Sequence, residues 1–226
     1  MPLFYQHNIN QETKVGIWHI AESESFFLEK VPLKKDVSHP FKRLQHLAGR
    51  YLLSHLFPDF PLSEIRIADT RQPFLASEKY HFSISHCGSY AAAIVSLKCR
   101  VGVDIELITP RIEMVAQKFL TEDEVQFFNE DYALFLEQWG LRGRVHQEFL
   151  TLIWNAKEAI FKWHGQGGLD FRKHMQLEDN ITMEGDWIRL PFVFNKGQKK
   201  HLDIRGRIFD EQALTLAWVA TEAPRR

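Results

Sequence analysis

Trp154-Asn155-Ala156-Lys157-Glu158-Ala159-Ile160-Phe161-Lys162 sets the reading of this chain, because its spacing places a carboxylate and an ammonium on one polar stripe of an otherwise apolar helix. At 3.6 residues per turn Thr151, Asn155, Glu158 and Lys162 share one face, and Ile153, Ala156, Ile160 and Trp163 share the opposite one. Such a helix can stand between a core and a reacting phosphate. A Glu four residues before a Lys is equally the mark of a solvated helix pair worth a few tenths of a kcal/mol, so the stripe needs company before it carries chemistry.

The company lies upstream. Gly102-Val103-Asp104-Ile105-Glu106 alternates as a strand, with Asp104 and Glu106 on one face and Val101, Val103 and Ile105 on the other. Neighbouring carboxylates repel, and a shared cation or proton turns that repulsion into binding; an exposed sheet face, screened by water and salt, tolerates the same pair. With Glu158 as a third oxygen donor the set describes a site for a hard divalent ion such as magnesium. A third constellation, Tyr80-His81-Phe82-Ser83-Ile84-Ser85-His86-Cys87-Gly88-Ser89, reads as a strand whose Phe82 and Ile84 face a core. It ends in Ser85-His86 before a glycine turn, where hydroxyl, imidazole and backbone N–H groups can grip phosphate. The plainer reading is a half-buried strand whose His86 satisfies a local carbonyl. His81, His86, Cys87 and Cys99 reproduce no compact zinc spacing, and a structural zinc site needs a closed set of four ligands, so zinc is set aside.

Taken in order, Phe82-Ser83-Ile84-Ser85-His86, Gly102-Val103-Asp104-Ile105-Glu106 and Trp154 to Lys162 resemble the three signatures of the 4′-phosphopantetheinyl transferases. The resemblance is to the longer, monomeric, surfactin-synthetase-activating branch. Lys42 to Arg50 resembles that family's basic helix, Ala116 to Glu124 its stretch before the Lys-Glu helix, and Leu214 to Ala220 its closing strand; the first forty residues and about 129–147 match loosely. The resemblance implies an α+β fold of two similar halves, 1–108 and 109–226, each a helix on a small antiparallel sheet, related by pseudo-twofold symmetry with the active site between them. It implies Mg2+-dependent transfer of the phosphopantetheine arm of coenzyme A to a serine of an acyl or peptidyl carrier protein, with Mn2+ an alternative ion. In that picture Asp104, Glu106 and Glu158 bind the metal. Glu158 is also the candidate base, and Lys162 stabilises or protonates the leaving phosphate. Ser85, His86, Lys157, Arg43, Arg50 and Arg71 contact coenzyme A, and Trp154 packs the helix. Two departures stand out: Arg71-Gln72-Pro73 carries Gln72 where the family often has a basic residue, and Asn155 stands where Ser or Thr is commoner.

Composition admits this reading without selecting it. With 226 residues, 45% hydrophobic and 13% aromatic, the chain can bury one substantial core or two small fused ones. A formal charge of -1 gives no global attraction to nucleic acid or membrane, so an acidic partner must meet local basic groups such as Lys30, Lys34, Lys35, Lys42, Arg43 and Arg50. The start Met1-Pro2-Leu3-Phe4-Tyr5-Gln6-His7-Asn8 lacks the pattern of a signal peptide, and no apolar run approaches eighteen residues. Together with only two cysteines, this leads to the expectation of a cytoplasmic protein without disulfides. Strands are expected at Val15 to Ala21, three times between Phe82 and Leu107, at Met175 to Leu177, Trp187 to Phe194, His201 to Phe209 and Leu214 to Thr221. Helices are expected at Pro40 to Phe57, from a Thr121 cap, and up to the Gly165-Gln166-Gly167-Gly168 loop. Two other functions fit the acidic set: a magnesium-dependent phosphohydrolase, and a non-catalytic module that binds coenzyme A or a carrier.

Overall fold

The computed structural model describes residues 2–32, 37–130 and 146–223. Lys34 and Lys35 lie outside them, as does most of the loosely matching stretch 129–147. The fold is α+β with antiparallel sheets. Packing divides it into two compact units whose sequences interleave: Met1–Ile105 with Lys162–Gln166 and Ala220–Arg226, and Glu106–Phe161 with Gly167–Val219.

In the first unit β1 (Leu3–Asn8), β2 (Thr13–His19), β5 (His81–Cys87) and β6 (Tyr90–Ser96) form an antiparallel sheet in the order β1-β2-β6-β5. β2 and β6 are central and carry Val15, Ile17 and Ala91 to Val95 at 0% exposure, and β6 accordingly reads as a near-continuous apolar run. A short helix α1 (Glu24–Leu28) follows β2. Helix α2 (Pro40–Leu56) begins as its sequence predicts, with Pro40 in its first turn and His39 capping the Lys42 N–H, and it stops at Phe57, ahead of Pro58. Its buried face includes Leu47, Ala48, Leu52, Leu53 and Leu56, and these join Trp18, Phe27, Phe60, Tyr80 and Phe82 in one core. Two glycines let the helix approach the sheet: a Cβ on Gly16 would meet Leu56 and Leu52 at 3.2 and 3.4 Å, and one on Gly49 would meet Ile84 Cγ2 at 2.6 Å.

The strands expected between Phe82 and Leu107 are β5, β6 and β7 (Cys99–Leu107). Gly88, at φ 45°, lets the chain reverse between Cys87 and Tyr90, which pair directly. A small hairpin, β3 (Arg66–Ile67) with β4 (Pro73–Phe74), comes before them and was not anticipated, because two-residue strands leave no periodicity to read.

The second unit begins with the end of β7 and holds α3 (Arg111–Val115), α4 (Glu122–Glu130) and most of α5 (His146–His164). A short α6 (Phe171–His174) leads into β8 (Met175–Leu177), β9 (Thr182–Glu184), β10 (Trp187–Phe194), β11 (Lys200–Phe209) and β12 (Leu214–Glu222). β12, β11, β10 and β8 lie side by side, and β9 pairs with β10. The Thr121 cap is realised in full. The Glu124 N–H donates to Thr121 Oγ1 at 3.1 Å, and the Thr121 N–H donates to Glu124 Oε2 at 2.8 Å, closing a capping box. α5 is buried or half-buried all round: Leu150, Leu152, Ile153, Ala156, Ala159 and Ile160 are at most 1% exposed, and so is Asn155. The expected polar stripe is therefore partly interior. Asn155 donates to both the carbonyl and Oγ1 of Thr215 at 2.9 Å, so a small amide sits where it ties helix to sheet. No helix among the described residues is long and apolar enough to cross a membrane.

Gly49→Ala tests the closeness of α2 to β5. Ala favours a helix by up to about 1 kcal/mol, but its methyl must displace Ile84, at a cost of about 1–3 kcal/mol. The expected outcome is a lower urea midpoint, and restoration when Ile84→Ala is added would identify the contact as the cause.

Candidate active site

The residues that the sequence singles out divide between the two units. Ser85, His86, Asp104, Lys162, Arg43, Arg50 and Arg71 belong to the first; Glu106, Glu158 and Lys157 belong to the second.

In the first unit the structure brings Ser85, Asp104 and Lys162 into direct contact. Alternation along β5 puts Phe82 toward the core, while Ser83 and Ser85 point the other way, to β7. Ser83 Oγ accepts the Val103 N–H at 3.2 Å, and Ser85 Oγ donates to Asp104 Oδ1 at 2.6 Å. The same Oδ1 accepts a proton from Lys162 Nζ at 2.7 Å. Asp104 is only 3% exposed, and among the described residues its second oxygen, Oδ2, is buried without a hydrogen-bond partner. A buried charge with one oxygen doubly satisfied and the other bare is costly as it stands, and a cation at Oδ2 relieves it. Among the described residues no three His, Cys, Asp or Glu side chains form a ready metal cage. Magnesium does not require one, since it keeps several waters and is commonly held by one or two carboxylates together with substrate phosphate. The bare, hard Oδ2 of Asp104 thus fits that ion.

His86 follows Ser85 on β5 and presents an exposed side chain at the strand's end. Surrounding protein nonetheless removes water from its ring. This desolvation pulls its pKa below the usual histidine value, with the Lys162 charge adding to the effect and Asp104 opposing it. A pocket of about 360 Å³ opens beside it. Its polar lining is His46, Arg50, Arg71 and His86; Pro32, Leu62, Ile65, Ile67, Pro73 and Ile84 supply apolar walls. Burial lowers the Arg50 pKa to about 10, leaving the group cationic at neutral pH but short of water to share its charge. Arg71 sits at φ 67° in the β3–β4 turn, an unusual conformation for a side-chain-bearing residue, which the turn fixes through the Arg71 N–H to Ala68 O bond. Three residues anticipated as coenzyme A contacts, Arg50, Arg71 and His86, therefore line one cavity. His46 joins them from the turn of α2 before Arg50, and its position four residues earlier on a basic helix was the signal that could have found it.

Ser85, Arg43 and Lys157 meet surroundings other than those expected: Ser85, anticipated as a coenzyme A contact, is buried and donates its hydroxyl proton to Asp104. Arg43 forms a two-pronged pair with Glu24, 2.8 and 3.0 Å, and donates to the Val37 carbonyl, so its guanidinium is committed to fixing α1 on α2. Lys157, expected to touch substrate, is instead 0% exposed in the second unit. Its ammonium donates to Phe119 O at 2.7 Å and to the two Glu124 oxygens at 2.8 and 2.7 Å. Desolvation lowers the Lys157 pKa, and the Glu124 charge works against that fall. Glu124 also accepts the Leu177 N–H at 2.9 Å, so one carboxylate joins the α4 cap, β8 and α5. The sequence marked Glu124 as a helix-start residue; its larger role depends on which lysine the fold brings to it. Glu106 and Glu158 are half-buried on β7 and α5, and the Glu106 carbonyl accepts from Thr215 Oγ1 at 3.3 Å.

Part of this sequence has known counterparts. Residues 100–217 match the model of the 4′-phosphopantetheinyl transferase superfamily, and the chain belongs to that superfamily. Among individual proteins it is similar to enterobactin synthase component D of Salmonella typhi, 34% identical over 122 residues that make up 54% of this chain and 47% of that protein. It is similar also to 4′-phosphopantetheinyl transferase AcpT of Escherichia coli (strain K12), 34% identical over 125 residues, 55% of this chain and 59% of the relative. The chain spans about half the length of the curated relatives it matches.

The Lys157–Glu124 pair gives a stability prediction. Removing one partner leaves a buried charge uncompensated, so Lys157→Met or Glu124→Gln should each cost about 3–5 kcal/mol in denaturant unfolding. The double variant should cost less than the sum of the two, as a double-mutant cycle would show.

Proposed function

We propose that this protein transfers the 4′-phosphopantetheine arm of coenzyme A to a serine hydroxyl of an acyl or peptidyl carrier protein. The observation that carries the reading is the Asp104 carboxylate, held through Oδ1 by Ser85 and Lys162 with Oδ2 bare, in a chain whose superfamily performs phosphopantetheine chemistry. Basic groups on one pocket wall beside apolar ones support it, since a nucleotide offers phosphates and a flat base together.

In this reading Arg50, Arg71, His46 and His86 hold the phosphates of the nucleotide end, and the apolar walls take its base. Asp104, with Glu106 and Glu158, would hold magnesium, or manganese in its place, although the described residues gather no such trio into a ready cage. When bound, such an ion supplies a Lewis acid that withdraws charge from the pyrophosphate. Serine is a poor nucleophile at neutral pH, so its proton needs an acceptor, and Glu158 is assigned that role alongside its share in metal binding. The serine Oγ–phosphorus bond forms as the bond from phosphorus to the oxygen of the departing adenosine 3′,5′-bisphosphate breaks. Lys162 places its ammonium where that leaving phosphate gathers charge. Ser85 keeps Asp104 in the rotamer that leaves Oδ2 available.

The direct test is the intact mass of an apo carrier protein after incubation with the enzyme, coenzyme A and magnesium. A gain of one phosphopantetheine is expected, and Asp104→Ala and Glu158→Gln should abolish it while retaining the fold by circular dichroism. Hydrolysis of coenzyme A without any acceptor, and no mass gain with one, would assign a phosphohydrolase instead.

A second test follows from His86. Its pKa is depressed in the free protein, so at neutral pH it is uncharged; a phosphate placed against it raises that pKa, and binding must then take up a proton. Calorimetry of coenzyme A binding near pH 7, in buffers of different ionisation enthalpy, should show uptake of up to about one proton per site. The uptake should vanish in His86→Gln and fade below the depressed pKa, where the ring is already charged. Equal heats in all buffers for the wild type would remove His86 from the phosphate site.

A further inference from the structure

Helix α5 ends at His164, and its last carbonyls have no partners within the helix. Three side chains from distant sequence supply donors. Gln72 Nε2 donates to the Lys162 carbonyl at 2.6 Å, Arg100 Nη2 donates to the His164 carbonyl, and Thr70 Oγ1 donates to the Gly165 carbonyl at 3.2 Å. The Arg100 guanidinium also lies 5.4 Å from the centre of the Trp163 ring, and Trp163 Nε1 donates to Thr221 Oγ1 at 2.9 Å. Gly165, at φ 70°, completes the fit: a Cβ there would lie 2.6 Å from Gln72 Oε1.

The three donors stand in particular places. Thr70 and Gln72 belong to the β3–β4 turn, and Arg71 between them lines the pocket with Arg50 and His86. Pro73 restricts Gln72 to extended backbone, so the side chain is delivered to the helix end from a preset conformation. One short turn therefore presents a guanidinium to the pocket and an amide to the backbone of Lys162. Lys162 is thereby held at both ends, its carbonyl by Gln72 and its Nζ by Asp104 at 2.7 Å. A flexible four-carbon stem fixed at both ends has few ways to place its charge elsewhere.

We infer that Gln72 is a positioning residue which, with Thr70 and Arg100, fixes the Lys162 ammonium against Asp104 in register with the Arg71 side of the pocket. The inference rests on the role given to Lys162 under the proposed function. It deepens that role by naming what holds the lysine, and it gives Gln72 a task that needs no positive charge.

Two readouts separate the clamp from the reaction. The first is the rate at which Lys162 is modified by a limiting amount of acetic anhydride, followed by peptide mass spectrometry with exposed Lys199 as internal reference. Gln72→Ala should raise the Lys162 rate several-fold and leave Lys199 unchanged, since the freed ammonium leaves Asp104 more often. A wild-type rate at Lys162 overturns the inference. The second is steady-state transfer to a carrier protein. Gln72→Ala should lower kcat about tenfold and leave KM for coenzyme A within about twofold, because misplacing a group that acts on the transition state reduces turnover more than binding. Faster labelling with unchanged kcat also overturns the positioning role.

The isosteric Gln72→Glu guards against mere loss of packing. Its ionised carboxylate cannot donate to the Lys162 carbonyl, whereas the protonated form can. Its labelling rate at neutral pH should match that of Gln72→Ala, and its kcat deficit against wild type should narrow as the pH falls through the carboxyl range. A deficit constant with pH counts against the hydrogen bond. Should the wild type transfer nothing, the functional reading fails, and the labelling ratio still decides the clamp.

Discussion

Burying a carboxylate is expensive unless both of its oxygens are answered, and Asp104 is answered on one side only. Ser85 and Lys162 converge on Oδ1, while Oδ2 is buried without a partner among the described residues. Much of the first unit's arrangement serves this one group. β5 turns its serine face to β7, so that Ser83 fastens the strand backbone and Ser85 fastens the carboxylate. The turn Lys162–Gln166 packs with the first unit although the body of its helix belongs to the second, because its lysine, its carbonyls and its tryptophan all find partners there. An ion pair of this kind, held in place by neutral hydrogen bonds, has its geometry set before any ligand arrives, and preorganisation is what the proposed phosphoryl transfer would chiefly ask of the protein.

The second buried charge makes an instructive contrast. Lys157 has three acceptors for its three protons, and Glu124 accepts from Lys157, Thr121 and Leu177. Nothing about that pair is left open. A closed buried pair of this sort adds little net stability over an apolar alternative, yet it tolerates the loss of neither partner. Its physical use is to fix how the start of α4, strand β8 and helix α5 meet. Two neighbouring residues of one motif, Lys157 and Glu158, thus face different demands: the first is consumed by the architecture and the second is half-buried on a different side of the helix.

Basic residues sort in the same manner. Six Lys and Arg residues between Lys30 and Arg50 read alike in the sequence, and the fold gives two of the described ones different surroundings. Arg43 is taken up by Glu24, whereas Arg50 lines a pocket that strips enough water from it to lower its pKa to about 10. A cation held at that desolvation cost gains more from an incoming phosphate than a solvated one does, since the interaction is less screened. Arg71 reaches the same pocket from a tight turn, at a φ of 67°.

The sequence by itself determined the longer elements and the chemistry on them. Helix α2, strands β5 to β7, the Thr121 cap and strands β8 and β10 to β12 were legible because periodicity, a proline, a glycine turn and a capping pair are local signals that act over a few residues, whereas β1 and β9 were not read. The same holds for Asp104 and Lys162 as groups of interest, and for the superfamily to which the ordered motifs belong. Tertiary structure alone decided the pairings. That Asp104 meets Lys162 across 58 residues, that Lys157 is buried on Glu124, that Asn155 is interior and that Gln72 caps the end of α5 are facts of long-range packing. Hairpins as short as β3–β4 also escaped notice, since two residues carry no period. The physical reason is common to all of these: a side chain's type limits the bonds it can make, and only the closing of distant backbone segments determines which partner comes within three ångströms.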